Sequence, residues 1–322
     1  MTTASVSVVI PTRDRPEMVE EAVRSVLAQT VPVEQIVVVD NGPEDSHLVV
    51  RSTVAPLSPV IEVLRGDPPG GPAAARNIGL AQASGKYVLF LDDDDLIHPC
   101  LVEEGLREFG DSSELDAVVF MYECFHTPTS HDWCTTLSPP GLFSPRSVHG
   151  RVLEDGVNPV PSAVLERSPV SAFLRFLIPI NSCLVRRSAI GTARFPSSLR
   201  QGEDTCFWIT LAAAGCRFHL NEHTYAYVRR HAGNITRSRA RYRREIQACY
   251  ERLLADDLLR APEDAYLAHL KLLWFKLATG RWGWGENLAH VLRSPRLFLR
   301  ELVFWMRNLG ARTLAVLKAH PR

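Results

Sequence analysis

The sequence predicts an α/β fold, a Rossmann-type domain with a mostly parallel central sheet, followed by a helical C-terminal extension. Two observations carry that expectation. Continuous β-branched apolar runs recur through the first 122 residues, separated by stretches of helical periodicity. Acidic or glycine-rich turns directly follow several of these runs, at the strand ends where open parallel sheets bind ligands. The 322 residues, 46% of them hydrophobic, suffice for one large domain and an appendage, and exclude a disordered or collagen-like chain.

The elements follow in order. Val6 to Ile10 (VSVVI) reads as a buried strand. Pro16 then opens a helix, where its missing N–H costs nothing, with Met18, Ala22, Val26, Val23 and Leu27 on one face. Ile36 to Val39 (IVVV) is a second strand and Val60 to Leu64 a third. Ala73 to Ala83 is a small-residue helix. Tyr87 to Leu91 (YVLFL) is a fourth strand and Ala117 to Tyr122 a fifth. From Glu123 to Pro179 the pattern dissolves, with eight prolines and no long periodic segment. Stretches this long without regular structure are usually functional. Order returns at Ile180 to Arg186 and in a helix from about Glu203 to Ala214. After Arg237 the pattern is mostly helical and rich in aromatic residues, which divides the chain into 1–236 and 237–322.

Charge narrows the function. Thirty-six basic residues balance 36 acidic ones, which excludes a globally basic nucleic-acid binder. The balance hides an asymmetry: Tyr266 to Arg322 has ten Lys/Arg against Glu286 and Glu301, leaving +8 there and −8 on the preceding 265 residues. Basic helices with this aromatic and leucine content suit a membrane interface; packing on the domain or forming a homodimer are the alternatives. The seven cysteines show no C-x-x-C spacing and read as reduced core residues of a cytosolic protein. The N-terminus has no basic n-region and enters a strand pattern at once, unlike a signal peptide. No uncharged apolar run reaches the ~18–20 residues of a membrane span. A cytoplasmic location is expected, with peripheral attachment at the inner face of the membrane as its extension. There is no P-loop, G-x-G-x-x-G or G-x-S-x-G.

Five places carry candidate chemistry. Asp92-Asp93-Asp94-Asp95 directly follows YVLFL. Four adjacent carboxylates repel, and Mg²⁺ or Mn²⁺ with oxygen ligands is the simplest relief; a solvated acidic turn is the plainer alternative. Asp40 ends the second strand and suits either a nucleobase or ribose hydrogen bond or an Asx turn before Gly42-Pro43. Arg76, the one charge in the small-residue helix, needs an anionic partner, either a ligand or a strand-end aspartate. Glu203 and Asp204 open a helix, as simple caps or as a general base whose pKa must be held up against the helix dipole. His231 is flanked by Arg229, Arg230 and a Gly-Asn turn, which together suggest an anion site.

Taken together, VSVVIPTRDRP, VVVD, GGPAAARNIGL, YVLFLDDDD, QGED and an R-x-H segment resemble, in that order, the family-2 inverting glycosyltransferases of the GT-A fold. The resemblance covers roughly residues 5–236. It implies Pro11, Thr12, Arg13, Asp14 and Asp40 around base and ribose, and Arg76 near uracil and diphosphate. It implies Asp94 as metal ligand, Asp92 toward ribose or metal, Asp93 beside the donor, and Asp204 as base with Glu203 alongside. His231 is a candidate for metal or diphosphate. The implied cofactor is Mn²⁺ or Mg²⁺. The implied partners are a nucleotide-sugar, a UDP-sugar above all, and a glycan or lipid-linked acceptor of a cell-envelope pathway. The Pro-rich stretch from Glu123 to Pro179 and the segment before Gly202 are expected to meet the acceptor. The competing functions are a Mg-dependent phosphoryl-transfer enzyme using the aspartate cluster, a nucleotidyltransferase, for which PTRDRP is the wrong loop, and a nucleotide-sugar-binding scaffold without turnover.

Overall fold

The computed structural model describes residues 5–67, 70–110, 114–125, 161–229, 239–280 and 285–303. Eight strands form one sheet: β1 (Val6–Thr12), β2 (Gln35–Asp40), β3 (Ile61–Arg65), β4 (Tyr87–Phe90), β5 (Leu96–Ile97), β6 (Ala117–Phe125), β7 (Cys183–Arg186) and β8 (Phe218–Arg229). Their order is β3-β2-β1-β4-β7-β6-β8-β5. The first four are parallel, as the continuous apolar runs predict. Across β7 the sheet becomes mixed: β7 is antiparallel to both β4 and β6, β8 is parallel to β6, and β5 is antiparallel to β8.

Alternation along the strands explains why they are apolar throughout. Val6, Val8 and Ile10 face a cluster with helix α1 (Pro16–Leu27) and helix α4 (Leu101–Phe109). Val9, Val88 and Phe90 face the opposite cluster. Both faces are covered, so no position along β1 or β4 tolerates a polar side chain except at the ends. Helix α2 (Glu44–Val54) packs beside α1, and helix α3 (Pro72–Gln82) lies against β1 and β2. Gly79 permits that approach, since a Cβ there would stand 2.3 Å from Val9 Cγ1.

The second cluster gathers the rest of the chain. Helices α5 (Ser162–Arg167) and α6 (Pro169–Arg175) lie within the Pro-rich stretch. The short helix α7 (Arg187–Ile190) follows β7, and α8 (Glu203–Ala213) is the helix expected from the sequence. Helix α9 (Arg239–Ala255), helix α10 (Pro262–Ala278) and helix α11 (Gly285–Leu292) follow, then α12 over 295–303. Ile246, Cys249 and Leu253 of α9, and Leu267, Leu272 and Phe275 of α10, share one core with Phe207 and Trp208 of α8. Phe195 stacks on Phe207 at 3.9 Å, and Phe90 meets Phe195 edge-on at 4.9 Å. Full burial of such side chains stabilises by roughly 1.5–3 kcal/mol each, which fixes α8 on the sheet.

Two elements escape the sequence-based reading. The long strand β8 (FHLNEHTYAYVR) mixes polar and apolar residues without a clean alternation, and its register with β6 shifts between Phe120 and Tyr122. The two-residue β5 is too short to leave a pattern.

Candidate functional site

Parallel register brings the motifs together. Thr12 pairs with Asp40, and the Leu91 N–H donates to Val9 O at 3.0 Å, so β1, β2 and β4 end at one edge of the sheet. There a cavity of about 590 Å³ opens, lined by Pro11, Thr12, Arg13, Arg15, Asn41, Arg76, all four aspartates of 92–95, and Glu203 and Asp204. Tyr122, Leu177, Pro179, Ile180, Arg200 and Val228 close its other side.

The four aspartates diverge. Asp93 turns inward, accepting from Thr12 Oγ1 at 2.7 Å and from Arg15 at 3.2 Å. Asp92 accepts from Arg76 Nη2 at 2.5 Å. Asp94 lies 3.3 Å from Arg15, and Asp95 accepts the backbone N–H of Arg229 at 2.9 Å. Asp92, Asp94 and Asp95 each present an oxygen such that the three lie within 4.8 Å of one another. Burial, and then the charge of Asp94, pushes the Asp93 carboxyl up to about 7. Burial, then Asp94 and Asp92, raises Asp95 well above the usual carboxylate range. Burial first, and then the neighbouring carboxylates, disfavour the charged forms, so the cluster holds more acids than it can ionise together without a cation. Three converging hard oxygen donors within that excess fit a divalent cation such as Mg²⁺ or Mn²⁺.

Arg76 joins two parts of the site. It is buried, pairs with Asp92 and with Glu203 at 2.8 Å, and stands 5.4 Å over the Phe195 ring. Burial opposes its charge, but the two carboxylates outweigh burial and raise its pKa. The anionic partners expected for Arg76 are therefore protein groups on two elements.

Glu203 and Asp204 stand at the start of α8 behind Gly202, whose φ of +81° and whose contact with α9 both require glycine. A Cβ at Gly202 would lie 2.4 Å from Ile246 Cδ1. Glu203 is held by Arg76, and burial pushes its carboxyl up to about 7 against that pairing. Asp204 accepts the Thr205 N–H at 2.7 Å and makes no ion pair with any described residue. Burial raises its pKa too, with Arg76 opposing, so the helix dipole does not prevail.

The remaining expected residues divide. Pro11, Thr12 and Arg13 line the cavity, whereas Asp14 is exposed beside it with a left-handed φ of +57°. Asp40 is fully buried; its Oδ1 accepts the Gly42 N–H at 2.9 Å in an Asx turn, and its Oδ2 has no hydrogen-bond partner. Its neighbour Asn41 reaches the cavity and donates to Gly70 O and Gly71 O, both at 3.0 Å. His231 and Arg230 lie outside the described residues.

Arg229 corrects an expectation. Its guanidinium is not offered to an anion: it is buried, pairs with Glu21 of α1, donates from Nε to Asp94 O at 2.8 Å, and lies over the Phe125 ring. A buried guanidinium is held by the nearest carboxylate, and α1 supplies one. Glu21 was missed by sequence reasoning, while Arg15 and Asn41 lay in the expected strand-end turns Pro11 to Arg15 and Asp40 to Asp45 without being singled out. Glu21 carried no clear signal, since it lies at the edge of the apolar stripe of α1, on the side where Glu17 also falls.

A sheet covered on both faces, whose strand ends gather an acidic cluster beside a second buried carboxylate pair, defines the GT-A class of glycosyltransferases. The chain belongs to glycosyl transferase family 2, whose profile matches residues 7–169. An uncharacterized glycosyltransferase of Rickettsia conorii is 27% identical over 216 residues, covering 65% of this chain and 30% of that protein. The chain thus spans about a third or less of the Rickettsia relatives it matches. A poly(ribitol-phosphate) beta-glucosyltransferase of Bacillus spizizenii is 35% identical over 95 residues, 29% of this chain and 15% of that one. The crystal structure of S. aureus TarS 1-349 in complex with UDP-GlcNAc superposes with a TM-score of 0.58 at 21% identity, covering 84% of this chain and 71% of the other. The mannosyltransferase PcManGT from Pyrobaculum calidifontis, in complex with GDP-Man and Mn²⁺, gives 0.57 at 17% identity over 98% and 84%. The chain is related to enzymes of teichoic acid and polysaccharide synthesis.

Proposed function

We propose that the chain is an inverting glycosyltransferase. It moves a sugar from a nucleoside-diphosphate donor, a UDP-sugar above all, to an acceptor hydroxyl of a cell-envelope glycan or glycolipid. Residues 1–236 form the catalytic unit and 237–322 an extension whose described helices α9 and α10 share a core with α8. One observation carries the assignment of roles. Of the two adjacent carboxylates on α8, Glu203 is bound to Arg76, whereas Asp204 faces the same cavity without an ion pair.

The chemistry follows from that difference. The acceptor oxygen attacks the anomeric carbon from the face opposite the diphosphate. Its proton passes to Asp204, and the bond from the anomeric carbon to the diphosphate oxygen breaks, inverting that carbon. Burial raises the Asp204 carboxyl, and a carboxylate of higher proton affinity is the better base there. Glu203 and Asp92 hold Arg76 beside the acidic cluster, and Thr12 and Arg15 orient Asp93. Asp94 and Asp92, with Asp95 beside them and His231 as a further candidate ligand, would hold Mn²⁺ or Mg²⁺. That ion would neutralise the charge of the departing diphosphate. Pro11, Thr12, Arg13 and Asn41 surround the donor, with Asp14 and Asp40 behind them.

The test is a panel of nucleotide-sugars incubated with the protein and Mn²⁺. Slow release of free nucleoside diphosphate from one donor is expected. Donor binding without any turnover makes the protein a scaffold and overturns the assignment.

A further inference from the structure

Helix α12 has one face whose place is settled. Leu297 packs with Tyr266, Leu273 and Val291, and Glu301, one turn on, is buried in an ion pair with Arg175 of α6 at 2.5 Å. The opposite face is unusual. Phe298, Leu299 and Leu302 are 46%, 60% and 44% exposed, and Leu292, just before the helix, is 67% exposed. Arg296 and Arg300 flank this stripe, and Arg293 precedes it, all exposed. The one acid of 292–303, Glu301, is buried and paired, so the exposed face carries positive charge only. Arg300 reaches Glu263 of α10 at 3.9 Å, an exposed contact of little strength.

We infer that α12 docks on an anionic lipid bilayer, with Phe298, Leu299 and Leu302 entering the interface and Arg293, Arg296 and Arg300 meeting the headgroups. The arrangement of an outward apolar stripe bordered by cations is that of an interfacial helix. Among the described residues no helix is long and apolar enough to cross a membrane. A symmetric dimer through this face is disfavoured, because a two-fold contact sets the three arginines of one copy against those of the other. The Arg175–Glu301 pair also ties α12 to the segment running into Leu177, which is 42% exposed at the cavity wall. The docking itself does not rest on the transfer reaction.

Vesicle co-sedimentation of the full chain tests the inference, with pure phosphatidylcholine and with phosphatidylglycerol added. Sedimentation only with the anionic vesicles, weakened by salt, is expected. Arg296→Glu/Arg300→Glu and Leu299→Glu/Leu302→Glu should each weaken it about tenfold or more, since each arginine near the surface is worth about fivefold. Leu48→Glu/Val49→Glu, at an exposed apolar pair on α2, should leave it unchanged. The inference fails if the chain stays in the supernatant with anionic vesicles, or if the α2 pair weakens binding as much as the α12 pairs. It also fails if the α12 variants bind normally, or if light scattering shows them converting a dimer to a monomer. Circular dichroism matching the unmodified chain establishes that each variant is folded.

Discussion

The two halves of the sheet do different work. The parallel half, β3-β2-β1-β4, ends in acids, and nearly every one has a named partner: Thr12 and Arg15 for Asp93, Arg76 for Asp92, the Gly42 N–H for Asp40. The mixed half, with the turn before β7, lines the same cavity with Tyr122, Pro179, Ile180 and Val228, which carry no charge. Acidic charge is therefore concentrated at the strand ends and the start of α8, and the facing wall is mostly uncharged, with Arg200 as its cation. Two buried arginines join the halves. Arg76 crosses from α3 to α8, and Arg229 crosses from β8 to the acidic turn and α1. The difference teaches that the acidic and the mostly uncharged parts of the cavity are separate in residue type but joined by two buried, ion-paired arginines.

The largest expected effect breaks the acceptor side alone. Asp204→Asn keeps the shape and removes the base, so turnover should fall by roughly 10²–10⁴-fold. Donor affinity, read by nucleotide titration, should hold. Near-normal sugar transfer by that variant would sink the assignment of the base. Next comes the coupling. Arg229→Met leaves Glu21 buried without its partner, which costs about 3–5 kcal/mol in urea unfolding. The double variant Glu21→Gln/Arg229→Met should recover much of the loss, because no lone charge is then buried. Equal destabilisation in the single and the double variant would mean that Arg229 acts through packing instead.

The donor side is tested separately by thermal shift. With Mn²⁺ and a productive donor at a hundred times its Kd, mass action adds about 2.7 kcal/mol to the folded state. Asp94→Ala should abolish the Mn²⁺-dependent part of that shift. Asp93→Asn should keep much of it, since Asp93 is turned toward Thr12 and away from the converging oxygens. A larger loss from Asp93→Asn than from Asp94→Ala would reverse the roles of these neighbours.

The same comparison explains what was legible in the sequence. The parallel half was readable because strands buried on both faces must be apolar throughout, and a charge after such a run stands out. Asp92 to Asp95 were found this way, Arg76 as the one charge of a small-residue helix, and Glu203 and Asp204 as acids opening a helix; all of them line one cavity. The mixed half was readable only in part: β6 and β7 were expected, whereas β8 and β5 were not. β8 is buried unevenly, so its residues carry no single period. Arg229 was noticed but given to an anion, because nothing in one dimension links it to Glu21, 208 positions away. Asp40 was seen as a ligand or a turn, and one of its oxygens makes the turn. Arg15 lay within PTRDRP, where Arg13 and Asp14 drew the assignment. Only the fold shows which of the two arginines reaches the acids.

The smallest expected effect lies in pH, and it separates Glu203 from its neighbour. In the metal-free protein burial lifts the Glu203 carboxyl from 4.5 to about 7, with Asp204 adding to the shift and Arg76 opposing it. The folded state thus holds a proton that the unfolded chain releases near 4.5. This group's contribution to stability is full below pH 4.5 and is lost as pH rises through about 7. Melting temperature should therefore decline across that window in the unmodified chain, and less steeply in Glu203→Gln, which cannot titrate. Identical slopes for the two proteins would place the titration elsewhere. Asp204 shifts in the same direction, chiefly through burial, but must be ionised to act, so the acid limb of turnover should lie higher than for an ordinary aspartate. Glu203→Gln removes a negative neighbour that disfavours that ionisation, and it also frees Arg76 to act on Asp204. Both changes favour the charged form, so the acid limb should move to lower pH in this variant.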